Sequence, residues 1–314
     1  MRDPITGQLV AGYSNRDPFT GQLVRLGRRR PIAVGIWEDM PLERTAIATA
    51  GNYYVSRGQF RNTSGRKLGS LRLVYPGTVR ANGAPVEYGL GNDYTATAAF
   101  EYTSSQGPMV QDGTRPLVTF TGGLGGLVPN GGHRLSDPAP FEIEAGAYAY
   151  VRSGMTVGTN GHFVPTGAAC QGLATDFGRG TGDGVQTAQA NNAAVYDGGA
   201  AITITNQVLL GFRPLVVTDD SDGLTCAVFV GDSNQAGSPD AEKGPRRGGW
   251  GVRSAEINGC SAMRLAMSGD RAEWVAKHSS SFGRRQLWRY GTHGVLDTNP
   301  TAGKACEHLA AGLT

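Results

Sequence analysis

Much of the chain alternates short runs of apolar, aromatic and β-branched residues with polar turns. The clearest runs cover 71–75, 94–102 and 147–151. Short strands separated by turn sequences are typical of antiparallel sandwiches. We therefore predict a β-sandwich or jelly-roll-like domain over 32–218. Within it, the stretch 171–200 is rich in small and polar residues and is expected to be a long exposed loop or an insertion.

The pattern changes after residue 218. Residues 226–230 form a continuous apolar run, as parallel strands do when both of their faces are buried. Helical patterns then alternate with strand-like runs, the helices at 250–258, 272–277 and 302–311 and the strands at 263–267, 286–290 and 293–296. This alternation predicts an incomplete α/β doubly wound domain over 219–314. We expect its open sheet edge to be covered by the β domain or by a second copy of the chain.

The first 31 residues contain a repeat and are predicted to form an extended arm. RDPITGQLV at 2–10 returns as RDPFTGQLV at 16–24, and Arg28, Arg29 and Arg30 follow. Asp-Pro and Thr-Gly are turn sequences, and two such units are too short to enclose a core. One interpretation is a docking arm that binds repeated sites on a protein assembly, with the three arginines as an electrostatic clamp. The other is a flexible leader or a local hairpin.

Composition and charge narrow the classes of partner. The net charge of +3 over 314 residues does not indicate nucleic-acid binding. The sequence has no run of 18 apolar residues and no signal-peptide core, so no membrane span is expected. Synthesis in the cytoplasm is expected, and incorporation into a particle or a cell-surface assembly is left open. The four cysteines form no CxxC pair and fit no zinc pattern. Buried, reduced thiols are therefore the preferred interpretation, with a disulfide as the alternative, and no metal or other cofactor is expected.

The residues that follow the apolar run 226–230 indicate a chemistry. Gly-Asp-Ser at 231–233 comes directly after it. A buried strand ending in a tight turn would hold Ser233 at the carboxyl edge of a sheet, where open sheets place their reactive groups.

The stretch from about residue 224 to residue 314 resembles the SGNH, or GDSL, hydrolases, a superfamily of esterases and acetylesterases. Gly-Asp-Ser-Asn at 231–234 resembles the first sequence block of that superfamily. Residues 265–272 resemble the second block, and residues 295–300 resemble the third. The resemblance covers less than a third of the chain.

The resemblance implies a role for each of four residues. Ser233 would be the nucleophile, and Asp232 would support its turn. The backbone N–H of Gly269 and the side-chain amide of Asn299 would stabilise the oxyanion that forms when a serine attacks an acyl carbon. The intervals of 36 residues from Ser233 to Gly269 and 30 from Gly269 to Asn299 each suit one strand–helix–strand step.

Two features depart from the family pattern. In the third block, Asp297 stands where glycine is usual and Pro300 where aspartate is usual. The last block of the family, Asp-x-x-His, supplies the general base, and no such motif occurs in the 15 residues that follow Asn299. A serine needs a base to act as a nucleophile at neutral pH. The base is therefore expected beyond residue 314 or from a partner.

Other titratable residues are interpreted without a catalytic role. The five histidines are taken as surface or packing residues: His133, His162, His278, His293 and His308. The carboxylates of Asp219, Asp220 and Asp222 could bind a cation, but a solvated linker is the preferred interpretation.

Two functions follow from these observations. The first is an ester hydrolase that removes acetyl or similar groups from a carbohydrate, with Ser233, Gly269 and Asn299 in its active site. The alternative is a non-catalytic structural or adhesive protein, such as a spike or fibre of a virus-like particle, that is anchored by its arm and binds a polysaccharide surface. Either protein is expected to be a homo-oligomer.

Overall fold

The computed structural model describes residues 13–16, 23–25, 30–37, 41, 43–80, 87–102, 115–166, 184–196, 212–231, 250–265, 287 and 289–296. The strands of the first half are β1 (Tyr13–Arg16), β2 (Leu23–Arg25), β3 (Ile32–Ala33), β4 (Ile36–Trp37), β5 (Glu43–Ala46), β6 (Tyr53–Arg61), β7 (Leu71–Pro76), β8 (Thr78–Arg80), β9 (Glu87–Gly89), β10 (Tyr94–Tyr102), β11 (Leu117–Val118), β12 (Gly126–Val128), β13 (His133–Leu135) and β14 (Tyr148–Thr156). The later elements are β15 (Phe163–Thr166), β16 (Gly184–Gln189), α1 (Ala193–Tyr196), β17 (Leu215–Thr218), β18 (Cys226–Val230), α2 (Trp250–Ile257), β19 (Ser261–Arg264) and β20 (His293–Leu296).

Two antiparallel sheets form a sandwich. The larger sheet has the strand order β11-β10-β14-β6-β16, with β12 also paired to β10, and the smaller has the order β13-β7-β17-β3. Buried side chains from both sheets meet in one cluster, which we call the main core. In β10, Tyr94, Ala96, Ala98 and Phe100 face this core, as the two-residue period of a strand requires. This part of the chain is therefore β-rich and sandwich-like, as predicted, whereas the predicted domain bounds of 32–218 stay a prediction.

The opposite face of the larger sheet holds buried charges. Glu101 of β10 accepts hydrogen bonds from Arg57 of β6 and from Arg152 of β14, and all three side chains are at most 1% exposed. The short helix α1 packs on the same face, where its Val195 contacts Val55 and Ala99. This face of the sheet is therefore a second buried layer.

A separate four-stranded parallel sheet has the order β20-β18-β19-β4. Its last strand, β4, comes from residues 36–37, so a segment near the N-terminus covers the outer edge of β19. Gly35 joins β3 of the sandwich to β4, with φ at +70°. Its N–H donates to Ser261 Oγ at 3.0 Å, and its carbonyl oxygen accepts from the amide of Ala262 at 2.9 Å.

The prediction of an α/β doubly wound domain is wrong. The regular secondary structure of the described residues is nearly all strand, with only the four-residue α1 and the eight-residue α2 as helices. A doubly wound sheet is covered by helices on both faces. Here one face of the parallel sheet, with Val228 and Met263, belongs to the main core of the sandwich instead. The described part of the chain is therefore a β-rich, sandwich-like fold.

Several local predictions have clear outcomes. The helix predicted at 250–258 is observed as α2, and the strand predicted at 94–102 is β10. The exposed loop predicted at 171–200 is wrong for 184–196, because β16 extends the larger sheet beside β6 and α1 follows it. The strand predicted at 286–290 is also wrong where the structure describes it, since Tyr290 lies in a turn. The helices predicted at 272–277 and 302–311 lie outside the described residues.

Candidate active site

Strand β18 is the centre of the parallel sheet, with β19 on one side and β20 on the other. The register pairs Phe229 with Arg264 of β19 and with Val295 of β20. The last described hydrogen bond from β19 to β18 runs from the amide of Leu265 to the carbonyl oxygen of Phe229, at 2.8 Å. All three strands are parallel, so their carboxyl ends lie at the same edge of the sheet.

Each predicted site residue follows one of these carboxyl ends in the sequence. Ser233 is the third residue after the end of β18, and Asn299 is the third after the end of β20. Gly269 is the fifth residue after the end of β19. The structure does not describe the site residues themselves, which are Asp232, Ser233, Gly269 and Asn299. After β18 the described residues end at Gly231.

The amino ends of the central strands are fixed by side-chain hydrogen bonds. Thr292 Oγ accepts from the amide of Cys226 at 2.8 Å and donates to the Cys226 carbonyl oxygen at 3.0 Å. The amide of Ser261 donates to the carbonyl oxygen of Thr225 at 3.0 Å. These contacts set the spacing of β18, β19 and β20 at the edge opposite the predicted site.

The two faces of β18 are buried against different partners. Cys226, Val228 and Val230 pack in the main core. Phe229 packs on the other face with Ala255 of α2 and with Ala262 of β19. Both faces of the strand are therefore apolar, which is why its sequence is a continuous apolar run.

Arg264 was missed by sequence reasoning. It is the last residue of β19, and its exposure is 0%. The signal was present in the sequence, because an arginine interrupts the apolar pattern of 262–267. Arg264 pairs in register with Phe229 of β18, two residues before the described part of that strand's connection ends at Gly231.

The described histidines lie away from the carboxyl edge of β18. His133 is in β13, and its ring lies edge-to-face against Tyr290, with 6.4 Å between the ring centroids. His162 lies in a turn, where its amide donates to the carbonyl oxygen of Thr159. His293 is the first residue of β20, at the amino end of that strand. His278 and His308 lie outside the described residues.

Arginines accompany the carboxylates that precede β18. Arg66 donates hydrogen bonds to the carbonyl oxygens of Asp220 and Asp222, and its Nη1 lies 3.4 Å from Asp220 Oδ1. Arg72 lies 3.3 Å from Asp219 Oδ2. The guanidinium groups of Arg66 and Arg72 thus supply the positive charge that a bound cation would bring to these carboxylates. Within the described ranges, no group of three or more histidine, cysteine or acidic residues is arranged to hold a metal ion.

Two of the four cysteines are described, and both are free thiols. Cys226 is buried in the main core, and this burial raises the pKa of its thiol. Cys260 packs on the other face of the sheet, with the cluster around Phe229. The two thiols therefore face different layers. Cys170 and Cys306 lie outside the described residues.

The arm is described in part. Strands β1 and β2 pair antiparallel. The second copy of the repeat, 16–24, begins at the last residue of β1 and ends within β2. Arg30 Nη2 donates to the carbonyl oxygen of Gly291 at 3.0 Å, so this arginine contacts the segment that leads into β20. Arg28 and Arg29 lie outside the described residues.

No helix in the described part of the chain is long and apolar enough to cross a membrane. In comparisons with known proteins, no family model and no curated protein sequence matches the chain. The resemblance to SGNH hydrolases therefore depends on the three sequence blocks alone.

Proposed function

We propose that the protein is a serine ester hydrolase of the SGNH type that removes acetyl or similar groups from a carbohydrate. One observation carries this proposal. Three adjacent parallel strands, β19, β18 and β20, run at their carboxyl ends into the three sequence blocks that resemble the family.

The register of the described strands supports this arrangement. Val230 pairs with Leu296, and Ser233 and Asn299 each follow the end of their strand by three residues. Neighbouring strands are about 4.8 Å apart and three residues span at most about 11 Å, which favours the proposal that the two residues act at the same edge of the sheet. Gly269 follows the other neighbour of β18 and has a somewhat longer reach.

In the proposed reaction Ser233 gives its hydroxyl proton to a general base outside the three sequence blocks and attacks the acyl carbon of the ester. The carbohydrate alcohol leaves with that proton, and water then attacks the acyl-enzyme, which releases the acid and restores Ser233. The N–H groups of Ser233 and Gly269 and the amide of Asn299 stabilise the oxyanion, and Asp232 supports the turn that holds the serine. Removal of one oxyanion donor typically lowers kcat by about 10²–10³-fold.

Hydrolysis of p-nitrophenyl acetate by the full chain tests the proposal. Ser233→Ala is expected to abolish hydrolysis, and Asn299→Ala is expected to lower kcat by about 10²-fold or more. Ser254→Ala is the matched control, because Ser254 is exposed on α2. Equal rates for the wild-type chain and Ser233→Ala would remove Ser233 from the reaction.

A second proposal, that of a structural or adhesive protein, is supported by the arm. Among the described strands, β1 and β2 pair only with each other. An isolated two-stranded hairpin is marginally stable in water, so this hairpin gains stability by docking on a partner assembly.

Deletion of residues 1–27 tests this, because it removes the hairpin and keeps the contact between Arg30 and Gly291. We expect the shortened chain to fold and to be lost from the assembly in which the full chain is found. Retention in that assembly would exclude docking through the arm.

A further inference from the structure

Helix α2 ends at an Asn-Gly step. Gly259 has a φ of +68°, and the amide of Cys260 donates to the carbonyl oxygen of Ala255 at 2.9 Å. This hydrogen bond and the left-handed glycine form a Schellman motif, in which Asn258 is the C-cap of the helix. Asn258 and Gly259 are both exposed to solvent. Water therefore reaches the side-chain amide at this end of the helix.

An asparagine that precedes a glycine can lose its side-chain amide without a catalyst. The backbone nitrogen of the glycine gives up its proton and attacks the side-chain carbonyl carbon of the asparagine. The side-chain nitrogen takes up a proton and leaves as ammonia. The product is a succinimide ring, which water opens to aspartate or isoaspartate. Glycine favours the attack because it has no Cβ to shield its nitrogen and because its backbone turns freely.

The sequence has four Asn-Gly steps, of which the structure describes the steps at 130–131, 160–161 and 258–259. At the first of these, segments distant in the sequence hold both reacting groups. Asn130 Oδ1 accepts from the amide of Gly91 at 2.9 Å, and the amide of Gly131 donates to the carbonyl oxygen of Gly77 at 2.9 Å. The attack at Asn130 therefore requires that tertiary contacts open.

The step at 160–161 is held in the same way. Asn160 Oδ1 accepts from the amide of Ala50 at 2.7 Å. The amide of Gly161 donates to the carbonyl oxygen of Ile47 at 2.8 Å. The electrophile and the nucleophile of this step are thus both bound to a segment more than a hundred residues away.

Only local hydrogen bonds hold Asn258. Its side-chain Nδ2 and its backbone amide both donate to the carbonyl oxygen of Ser254, at 2.7 Å and 3.1 Å. Among the described residues, neither Asn258 Oδ1 nor the amide of Gly259 has a hydrogen-bond partner. Helix ends fray, whereas packed tertiary contacts open at a higher free energy. Opening of one helical turn therefore frees the reacting groups of this step.

We propose that Asn258 is a modification site at which the folded chain deamidates spontaneously, ahead of Asn130 and Asn160. The new carboxylate cannot donate the hydrogen bond that the amide gives to the helix, and it places a negative charge at the negative end of the helix dipole. Helix α2 packs on Phe229 of β18. Deamidation thus loosens the helix that covers this strand, and the inference does not depend on the proposed esterase function.

Peptide mass spectrometry of the full chain after incubation at pH 8 tests the proposal. A digest separates the peptides that contain the three steps, so Asn130 and Asn160 are matched controls within the same molecule. In the folded chain we expect the peptide with Asn258 to convert at least about tenfold faster than the other two. In urea the tertiary contacts are lost, and the three rates should become similar because all three steps share the same pair of residues.

Two variants complete the test. Asn258→Gln lengthens the side chain and should abolish the conversion of this peptide. Asn258→Asp carries the charge of the product and should lower the Tm by about 1–3 °C. Conversion at Asn130 or Asn160 that is as fast as at Asn258 in the folded chain overturns the proposal, and so does an Asn258 that stays intact while the chain in urea converts. An unchanged Tm for Asn258→Asp overturns the effect on α2.

Discussion

Arg152 Nε donates a 2.7 Å hydrogen bond to Oε2 of Glu101, and neither side chain has more than 1% of its surface exposed. Arg57 donates to the same carboxylate oxygen at 3.1 Å, and its guanidinium lies over the ring of Tyr150. A single carboxylate thus joins three neighbouring strands of the larger sheet, β6, β10 and β14, through their buried side chains.

Glu101→Gln is expected to destabilise the fold by about 3–5 kcal/mol, because it removes the negative charge between two buried guanidiniums. Urea-induced unfolding measures the loss. Lys67→Met is the control, since Lys67 forms exposed ion pairs with Glu142 and Glu144 and its removal should leave the stability almost unchanged. Similar losses for the two variants would show that the buried network contributes little.

Gly35→Ala is expected to be strongly destabilising for two reasons. Gly35 has a positive φ, and an added Cβ would overlap the carbonyl oxygen of Arg61. Gly51→Ala separates the two effects, because Gly51 also has a positive φ but has open space around it. We expect about 1–2 kcal/mol for Gly51→Ala and at least about 1–3 kcal/mol more for Gly35→Ala. Tryptophan fluorescence, to which the buried Trp37 contributes, measures both during urea unfolding. Equal costs would contradict the steric argument.

Tyr54→Phe is expected to stabilise the protein by about 1 kcal/mol. The Tyr54 hydroxyl is buried in the main core and has no hydrogen-bond partner among the described residues, and this burial raises the pKa of Tyr54. Tyr75→Phe should instead destabilise by about 1 kcal/mol, because it leaves Ser153 Oγ without the partner that it now has at 2.7 Å. Thermal unfolding of the two variants measures the effects. A lower Tm for Tyr54→Phe would show that its hydroxyl is satisfied.

Asp137 is expected to make stability depend on pH in the acid range. Its carboxylate accepts hydrogen bonds from the amide of Gly122 and the hydroxyl of Thr119, both at 2.8 Å, and these lower its pKa. Because the pKa is lower in the folded state, the stabilisation is present above the unfolded pKa of about 3.9 and is lost as the pH falls through the folded value. The side chain is half-exposed, so the contribution is below about 1 kcal/mol.

Asp137→Asn tests this dependence by urea unfolding at a series of pH values. The wild-type chain should be the more stable of the two at pH 6, and the difference should shrink from about pH 4 downwards. A difference that stays constant from pH 6 to pH 2 would show that this carboxylate does not contribute through ionisation.

The strands that the sequence predicts best are those with clear alternation. In β10, Tyr94 and Phe100 at even positions mark the core face, and the predicted and observed bounds agree. The opposite face was harder to predict, because Glu101 is a residue expected in water and is buried here by its arginine partners. A one-dimensional pattern does not show whether a polar face of a strand is covered.

The parallel sheet shows a similar limit. The apolar run of β18 indicates burial on both faces but does not show what covers each face, and one face packs on the sandwich rather than on helices. Strand β4 contains only Ile36 and Trp37, too few residues for a period, and its pairing with Ala262 depends on tertiary structure. The Gly-Asp-Ser motif was located from the sequence alone, whereas the burial of Arg264 on the neighbouring strand was found only from the structure.

The pairing of Ile36 with Ala262 also has a consequence for synthesis on the ribosome. These residues are separated by most of the chain, so the edge strand of the parallel sheet is made first and its partner almost last. Until β19 emerges, Ile36 and Trp37 have no strand to pair with, although β3 beside them can already form within the sandwich. Such non-local pairing is slow to form and leaves apolar strands exposed for longer. The nascent chain is therefore expected to pair the strands of its sandwich once β17 has emerged, while Ile36 and Trp37 wait unpaired for β19.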